Sequence, residues 1–383
     1  MKRIARLWPL AALLLALAVS WRAHATRSTR TLDVVVLDKT VPFRTYVEHR
    51  SLFWALRTLG VMRPDGGRYE TPTDYLGAYP PETPGDPPER TADLTAARAL
   101  PADLVYLADT YGVYRDDLES KEEMKAALER SPKVYGGLEP SEAEAVRDAQ
   151  RAGATIVAEF NTLGSPTSGA ARRILEEVLG VRWTHWRGRF FSNLADRAEV
   201  PQWTRRIYEE EWKKPWELEG PGYVLVEEDS HCEVLRTGDE ANQIGLTIER
   251  ETPPDPLLER AADGVPYPYW FDIVTADGAT QRLARFQWHV TPRGSERLHA
   301  RRLPESFPAV TRHLAPVGGP AYYFAGDFAD NPMPDHDVPF AGYPTCMRWI
   351  HKAALAPSEM AFYWRFYYPT MERLLHDLPK RSG

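Results

Sequence analysis

Over residues 134–190 the spacing of apolar positions changes character three times, and the changes predict a helix, a strand and a second helix. Ser141-Glu142-Ala143-Glu144 has the spacing of a capping box, so a helix is expected to start at Ser141 and to run to about Gly153, which can take the left-handed C-terminal conformation. Ala154-Thr155-Ile156-Val157-Ala158 then reads as a short strand buried on both faces. Residues 164–169 form a loop whose end can open a helix over 170–179, with Ile174, Leu175 and Val178 on one face and Gly180 as its stop. A helix, strand and helix in this order belong to a doubly wound α/β sheet. In such sheets the carboxyl ends of the strands form the ligand crevice, which places Glu159, Phe160 and Asn161 where chemistry is expected.

The same reading gives strands over 32–38 and 103–109 and a helix over 51–59, whose Leu52, Phe53, Leu56 and Leu59 can face a sheet. Residues 63–92, rich in Pro, Gly, Asp and Tyr, read as a long excursion loop. Residues 116–130 are charged and helix-forming. From about Leu179 the pattern changes: residues 183–191 mix aromatic and basic side chains, and a helix-poor stretch is expected from there to Gly222. Strands then follow over 223–226, 244–248, 270–274, 283–290 and 321–327, and an aromatic helix over 359–375 should be interrupted near Pro369.

The order of the strands over 32–38 and 103–109, the segment Tyr135-Gly136-Gly137-Leu138, the helix after Ser141 and the run from Ile156 to Asn161 resembles the class I glutamine amidotransferase-like fold. Trehalose-utilisation-type proteins share that flavodoxin-like architecture. The resemblance covers roughly residues 31–195 and rests on element order. It implies a doubly wound flavodoxin-like α/β core, here followed by a β-rich C-terminal elaboration. Working amidotransferases of this class place a nucleophilic cysteine directly after the strand that ends here at Ala158. The corresponding residues are Glu159-Phe160-Asn161, so the resemblance stops short of glutamine hydrolysis, which needs a thiolate to attack the amide carbon.

With 383 residues and 43% hydrophobic content, the chain can bury a substantial core and holds one large or two ordinary domains. The expected division is a signal peptide or N-terminal anchor over 1–25, an amidotransferase-like α/β domain over 31–218 and a β-rich region over 219–383 that returns to the core. Lys2 and Arg3, the apolar run over 7–20 and Ala23-His24-Ala25 have the layout of a secretory signal peptide, so an exported, periplasmic or envelope location is expected. In an oxidising compartment Cys232 and Cys346 are more readily bridged than free, two buried thiols being the alternative. A net charge of -7 without a basic block gives nucleic-acid binding no electrostatic support.

Several predicted strands end in a carboxylate: Asp38, Asp109, Glu159 and Asp327, with Asp330 three residues on. Parallel strands would gather these ends on one rim, where paired carboxylates could carry acid/base hydrolysis of a glycosidic bond; the alternative for each is that it merely caps the following loop. Twelve Trp and eighteen Tyr could supply faces for a sugar ring, or simply pack a large core. Arg50, Tyr111 and Asn161 are candidate ligand contacts, as is His49, whose imidazole is grouped with the basic set that follows as suited to an anionic group. So are His185, Trp186, Arg187 and Arg189, whose guanidinium forks suit an anionic group, unless they pair with the acids instead. Asp335-His336-Asp337 offers metal-type donors without the spacing of a recognised calcium or zinc loop, and no cofactor motif occurs, so no metal or cofactor is expected. The function expected is binding or hydrolysis of a carbohydrate in the cell envelope. The alternative is a catalytically silent subunit that docks a membrane or envelope partner.

Overall fold

The computed structural model describes residues 15, 18–23, 26–83, 86–118, 132–228, 230–334, 336, 338, 340–353 and 356–379. Its principal strands are β1 (Val34–Asp38), β2 (Leu76–Tyr79), β3 (Leu104–Asp109), β4 (Thr155–Ala158), β5 (Val181–Phe191) and β6 (Gly222–Glu227) in the first part of the chain. The second part adds β7 (His231–Arg236), β8 (Ala241–Arg250), β9 (Phe271–Ala276), β10 (Gln281–Val290), β11 (Ser306–Leu314) and β12 (Pro320–Phe324). The helices that matter below are α1 (Val47–Thr58), α2 (Pro140–Arg151), α3 (Gly169–Leu179), α4 (Gln202–Trp212) and α5 (Tyr368–Asp377).

This is a mixed α/β fold built on one large mixed sheet. Ten strands run in the order Val265–Pro266, β8, β10, β11, β12, β4, β3, β1, β2 and Arg90–Ala92. The five from β12 to β2 are mutually parallel, and the strands outside them pair antiparallel. A second sheet of four strands, ordered β7, β6, β5, β9, stands beside it. The two meet where Phe271 bridges Gly326 and Asp327 N–H donates to the Trp270 carbonyl at 3.0 Å.

Parallel strands are covered on both faces, which is why β1 reads as the unbroken run Val-Val-Val-Leu-Asp with every residue buried. Helix α1 packs on β1 and β3 and against α5, whereas α2 packs on β4 and against α3 and the short helix Ala96–Ala99. Helix α3 begins where its sequence dictates: the Ser168 side chain accepts from Ala171 N–H at 3.2 Å, and Gly180 closes it at φ 65°. Helix α2 starts one residue before Ser141. Its N-cap is Glu139, with Pro140 in the first turn and the Glu142 carboxylate reaching back to the Glu139 N–H at 3.1 Å.

Several expectations are corrected. The excursion loop over 63–92 contains a strand of the parallel core, β2, concealed because it is short and carries Gly77. That glycine sits at φ +132°, and a Cβ there would lie 1.6 Å from the Asp38 carbonyl oxygen, so the close approach of β2 to the end of β1 requires it. The stretch to Gly222 is not helix-poor, because α4 folds over β7. Residues 183–191 belong to one long strand, β5. Lys133–Tyr135 pairs with Val113–Tyr114 outside the main sheet. The helix expected over 116–130 lies largely outside the described residues. Cys232 and Cys346 are both free, the first buried on β7 and the second exposed, so the expected bridge is absent.

The C-terminal helix is interrupted as expected, just before Pro369: Glu359–Phe362 passes through a π-helical turn, Tyr363–Tyr367, into α5. Proline lacks the N–H that would bond four residues back, to the Arg365 carbonyl, and that oxygen accepts the Ala262 N–H at 2.7 Å instead.

Candidate functional site

The carboxyl ends of β1 and β3 bring Asp38 opposite Asp109, both buried. Thr40, not singled out from sequence, holds the two together. Its N–H donates to Asp38 Oδ1 at 2.9 Å and its hydroxyl to Asp109 Oδ1 at 2.7 Å. Asp109 also accepts Tyr111 N–H at 2.6 Å, and Asn161 Nδ2 lies 3.4 Å from Oδ2. Burial, with the charge of Asp38 in support, nevertheless pushes the Asp109 carboxyl up to about 7 against those hydrogen bonds.

His49 follows in α1 and is fully enclosed, its Nδ1 at 2.5 Å from Asp38 Oδ2 and its Nε2 at 3.1 Å from the Thr71 carbonyl. Both of its ring nitrogens are thus engaged by the protein. Glu159, at the end of β4, is also fully buried. One oxygen accepts the Tyr106 hydroxyl, and the other accepts Phe328 and Ala329 N–H at 2.8 and 2.9 Å. Burial dominates over these donors and raises its carboxyl to about 8.

A second group of acids is less completely enclosed. Glu48 in the first turn of α1, with Asp327 and Asp330 in the loop after β12, can place one carboxylate oxygen each within 4.8 Å of the others. Burial raises all three carboxyls above the usual range, Asp330 to about 7, and the charges of Asp38 and Asp109 also act on Glu48. All six acids therefore sense one electrostatic environment. Glu48 was legible in the sequence only as part of the turn that enters α1. Lys39, buried directly after Asp38, also went unremarked; its ammonium lies 2.7 Å from Glu142 and 2.9 Å from the Gly137 carbonyl.

The expected ligand contacts divide. Asn161 and Arg187 reach the rim together, with Arg187 Nη1 at 3.5 Å from Asn161 Oδ1 and its guanidinium over the Trp183 ring. Arg189 lies over Phe191 and Trp270, and its charge acts on Asp327, Asp330 and Glu359. Arg50 donates to the Met333 carbonyl at 3.4 Å, and the Tyr111 ring packs on Tyr114. His185 instead meets Glu228 at the surface at 3.0 Å, and Trp186 belongs to the hydrophobic core, its carbonyl accepting Trp183 Nε1 at 3.1 Å. Neither joins the acids, because a bulge in β5 between Trp183 and Arg187 turns the backbone there, with His185 at φ 70°. Of the Asp335-His336-Asp337 triplet, Asp335 and Asp337 lie outside the described residues.

The aromatic wall of the site is one that sequence reading did not isolate. Trp270, half-buried, stacks between Phe160 and Trp203 with ring centroids 6.0 and 6.2 Å away, and its carbonyl holds the backbone of Asp327.

No protein-family profile matches this sequence, and no curated protein matches it. Solved structures share its backbone course only remotely. A cytoplasmic protein from Salmonella typhimurium aligns at 12% identity over 91% of this chain and 100% of its own, with a TM-score of 0.40. A ThuA-like protein from Bacteroides uniformis aligns at 8% identity over 88% and 97%, with a TM-score of 0.37. A cold-adapted beta-galactosidase from Rahnella sp. R3 aligns at 13% identity over 91% of this chain but 32% of its own length, with a TM-score of 0.36. At such similarity no activity passes from these proteins to this chain.

Proposed function

We propose that this chain is an exported protein with a flavodoxin-like, amidotransferase-like core that binds or hydrolyses a carbohydrate in the cell envelope. Numbered along the chain, the five parallel strands stand in the order 2-1-3-4-5, which supports the flavodoxin-like reading. The strand order of such a sheet reverses between its first and third strands, and ligands bind in the crevice outside that point. Asp38 and Asp109 stand there.

The observation that carries the reading is Trp270, an indole with partly open surface whose backbone is bonded to that of Asp327. With its two faces stacked on Phe160 and Trp203, the indole offers its edge, against which the apolar C–H groups of a sugar can pack while the sugar hydroxyls donate to the acids. Asp38, Asp109 and Glu159 are engaged by protein donors, so direct contact with a hydroxyl or a glycosidic oxygen falls to Asp327, Asp330 and Glu48. A carboxyl held protonated near neutral pH can act as general acid. Titration with a panel of envelope oligosaccharides, read by Trp fluorescence and calorimetry, tests this. Trp270→Ala and Asp327→Asn should each abolish binding at unchanged far-UV circular dichroism, and Asp327→Asn should lower any turnover about 10²- to 10⁴-fold. A folded wild type that takes up none of the sugars would end the proposal.

A second reading is supported by the enclosure of Asp38 and Glu159: a catalytically silent subunit that docks an envelope partner. Binding without turnover, unaltered by Asp327→Asn, would favour it. The export component rests on the layout of residues 2–25, and a mature N-terminus at about Thr26 in mass spectra of the envelope fraction is its expected outcome.

A further inference from the structure

We propose that Glu48, Asp327 and Asp330 form a binding site for a hard divalent cation of the calcium or magnesium class, whether or not a sugar is the ligand of the crevice. The three acids come from two distant parts of the chain, yet one oxygen of each lies within 4.8 Å of the others. Two oxygens on opposite sides of a calcium ion, each at about 2.4 Å, stand about 4.8 Å apart, so all three fit one coordination sphere. The loop is fixed to the helix by Ser51, whose hydroxyl donates to the Ala329 carbonyl at 2.6 Å, and is braced internally by Asn331 Nδ2 on the Phe328 carbonyl at 2.7 Å. The donors are therefore placed in advance.

Charge compensation is the independent reason to expect a ligand. The fold gives protein donors to each neighbouring acid: Tyr106 and two backbone N–H groups to Glu159, Thr40 and Tyr111 to Asp109, His49 and Thr40 to Asp38. Asp327 is only 5% exposed, and among the described residues its carboxylate receives no hydrogen bond and no ion pair. Glu48 Oε2 is likewise buried without a partner. Arg189 acts on Asp327 and Asp330 from beyond ion-pair distance, a single cation facing a cluster of three acids. A buried carboxylate left without compensation is costly, and a cation that accepts only oxygen donors is the species these residues suit. The nitrogen and sulfur donors that zinc prefers are absent from the three.

The test uses the full chain stripped with a chelator. Terbium, a luminescent calcium analogue, should bind saturably and be excited by Trp270, the indole whose backbone holds Asp327, and calcium, magnesium and manganese should be compared as competitors. The preferred ion at a hundredfold excess over its Kd should raise Tm by several degrees. Asp327→Asn and Glu48→Gln should each weaken binding at least about tenfold, and together should abolish both the emission and the Tm increment. In chelator the same variants should melt no lower than wild type, because each removes like-charge repulsion, and this separates lost binding from lost folding. Trp270→Phe should dim the emission and leave the Tm increment intact. A wild type whose emission and Tm stay flat at millimolar ion overturns the proposal, as does a double variant that binds like wild type. Sugar titrations run in chelator are scored separately, so either proposal can fail without the other.

Discussion

His49 Nδ1 and Asp38 Oδ2 stand 2.5 Å apart with neither side chain exposed to solvent. The Thr71 carbonyl can only accept, so His49 Nε2 is the donor to it, which leaves Nδ1 to face the Asp38 carboxyl. The pair locks the end of β1 to α1 and to the segment entering β2.

Replacing that imidazole while keeping a ring isolates the pairing. His49→Phe preserves the packing against Tyr75 and Phe53 but leaves Asp38 buried without its partner, a loss of about 3–5 kcal/mol. The expected result is a large fall in the urea midpoint, partly recovered when Asp38→Asn is added. Equal midpoints for wild type and His49→Phe would show that the contact contributes nothing.

Glu159 gives the pH dependence its sign. Its carboxyl titrates at about 8 in the folded protein against an ordinary 4.5. The folded state therefore holds the proton more tightly, and the stability from this group is complete below about 4.5 and lost as pH rises through about 8. Asp109 and Asp330, both raised to about 7, act in the same direction. Tm should fall between pH 5 and pH 9, and Glu159→Gln should flatten part of that slope without unfolding the protein. A Tm that climbs over this range contradicts the assignment.

Lys39 and Glu142 form the other enclosed pair beside the rim, at 2.7 Å with 3% exposure on each side chain. Lys39→Met should cost about 3–5 kcal/mol by stranding the Glu142 carboxylate, and Lys39→Met with Glu142→Gln should cost less than Lys39→Met alone. A double-mutant cycle in denaturant reads this coupling directly. Strict additivity would mean that the Leu94 and Glu139 N–H groups already satisfy Glu142.

The sequence by itself determined the elements whose signals are local. The apolar runs of β1, β3 and β4, the Ser168 cap and the Gly180 stop of α3, and the break before Pro369 all follow from side chains within a few positions of one another. The strand-end acids could be named for the same reason, because a carboxylate after a buried run marks a strand terminus. Only the tertiary structure decided which of those acids share donors, which lack them, and that Glu48 meets Asp327 and Asp330. It also decided that Leu76–Tyr79 enters the sheet, and that β8 and β10 to β12, from the second half of the chain, extend the sheet founded by the first. The physical reason is that hydrophobic periodicity records how deeply a residue is buried, not what it is buried against. The donors to Glu159 come from Phe328 and Ala329, and Ser51 is fixed to Ala329, through contacts that exist only once the sheet has formed.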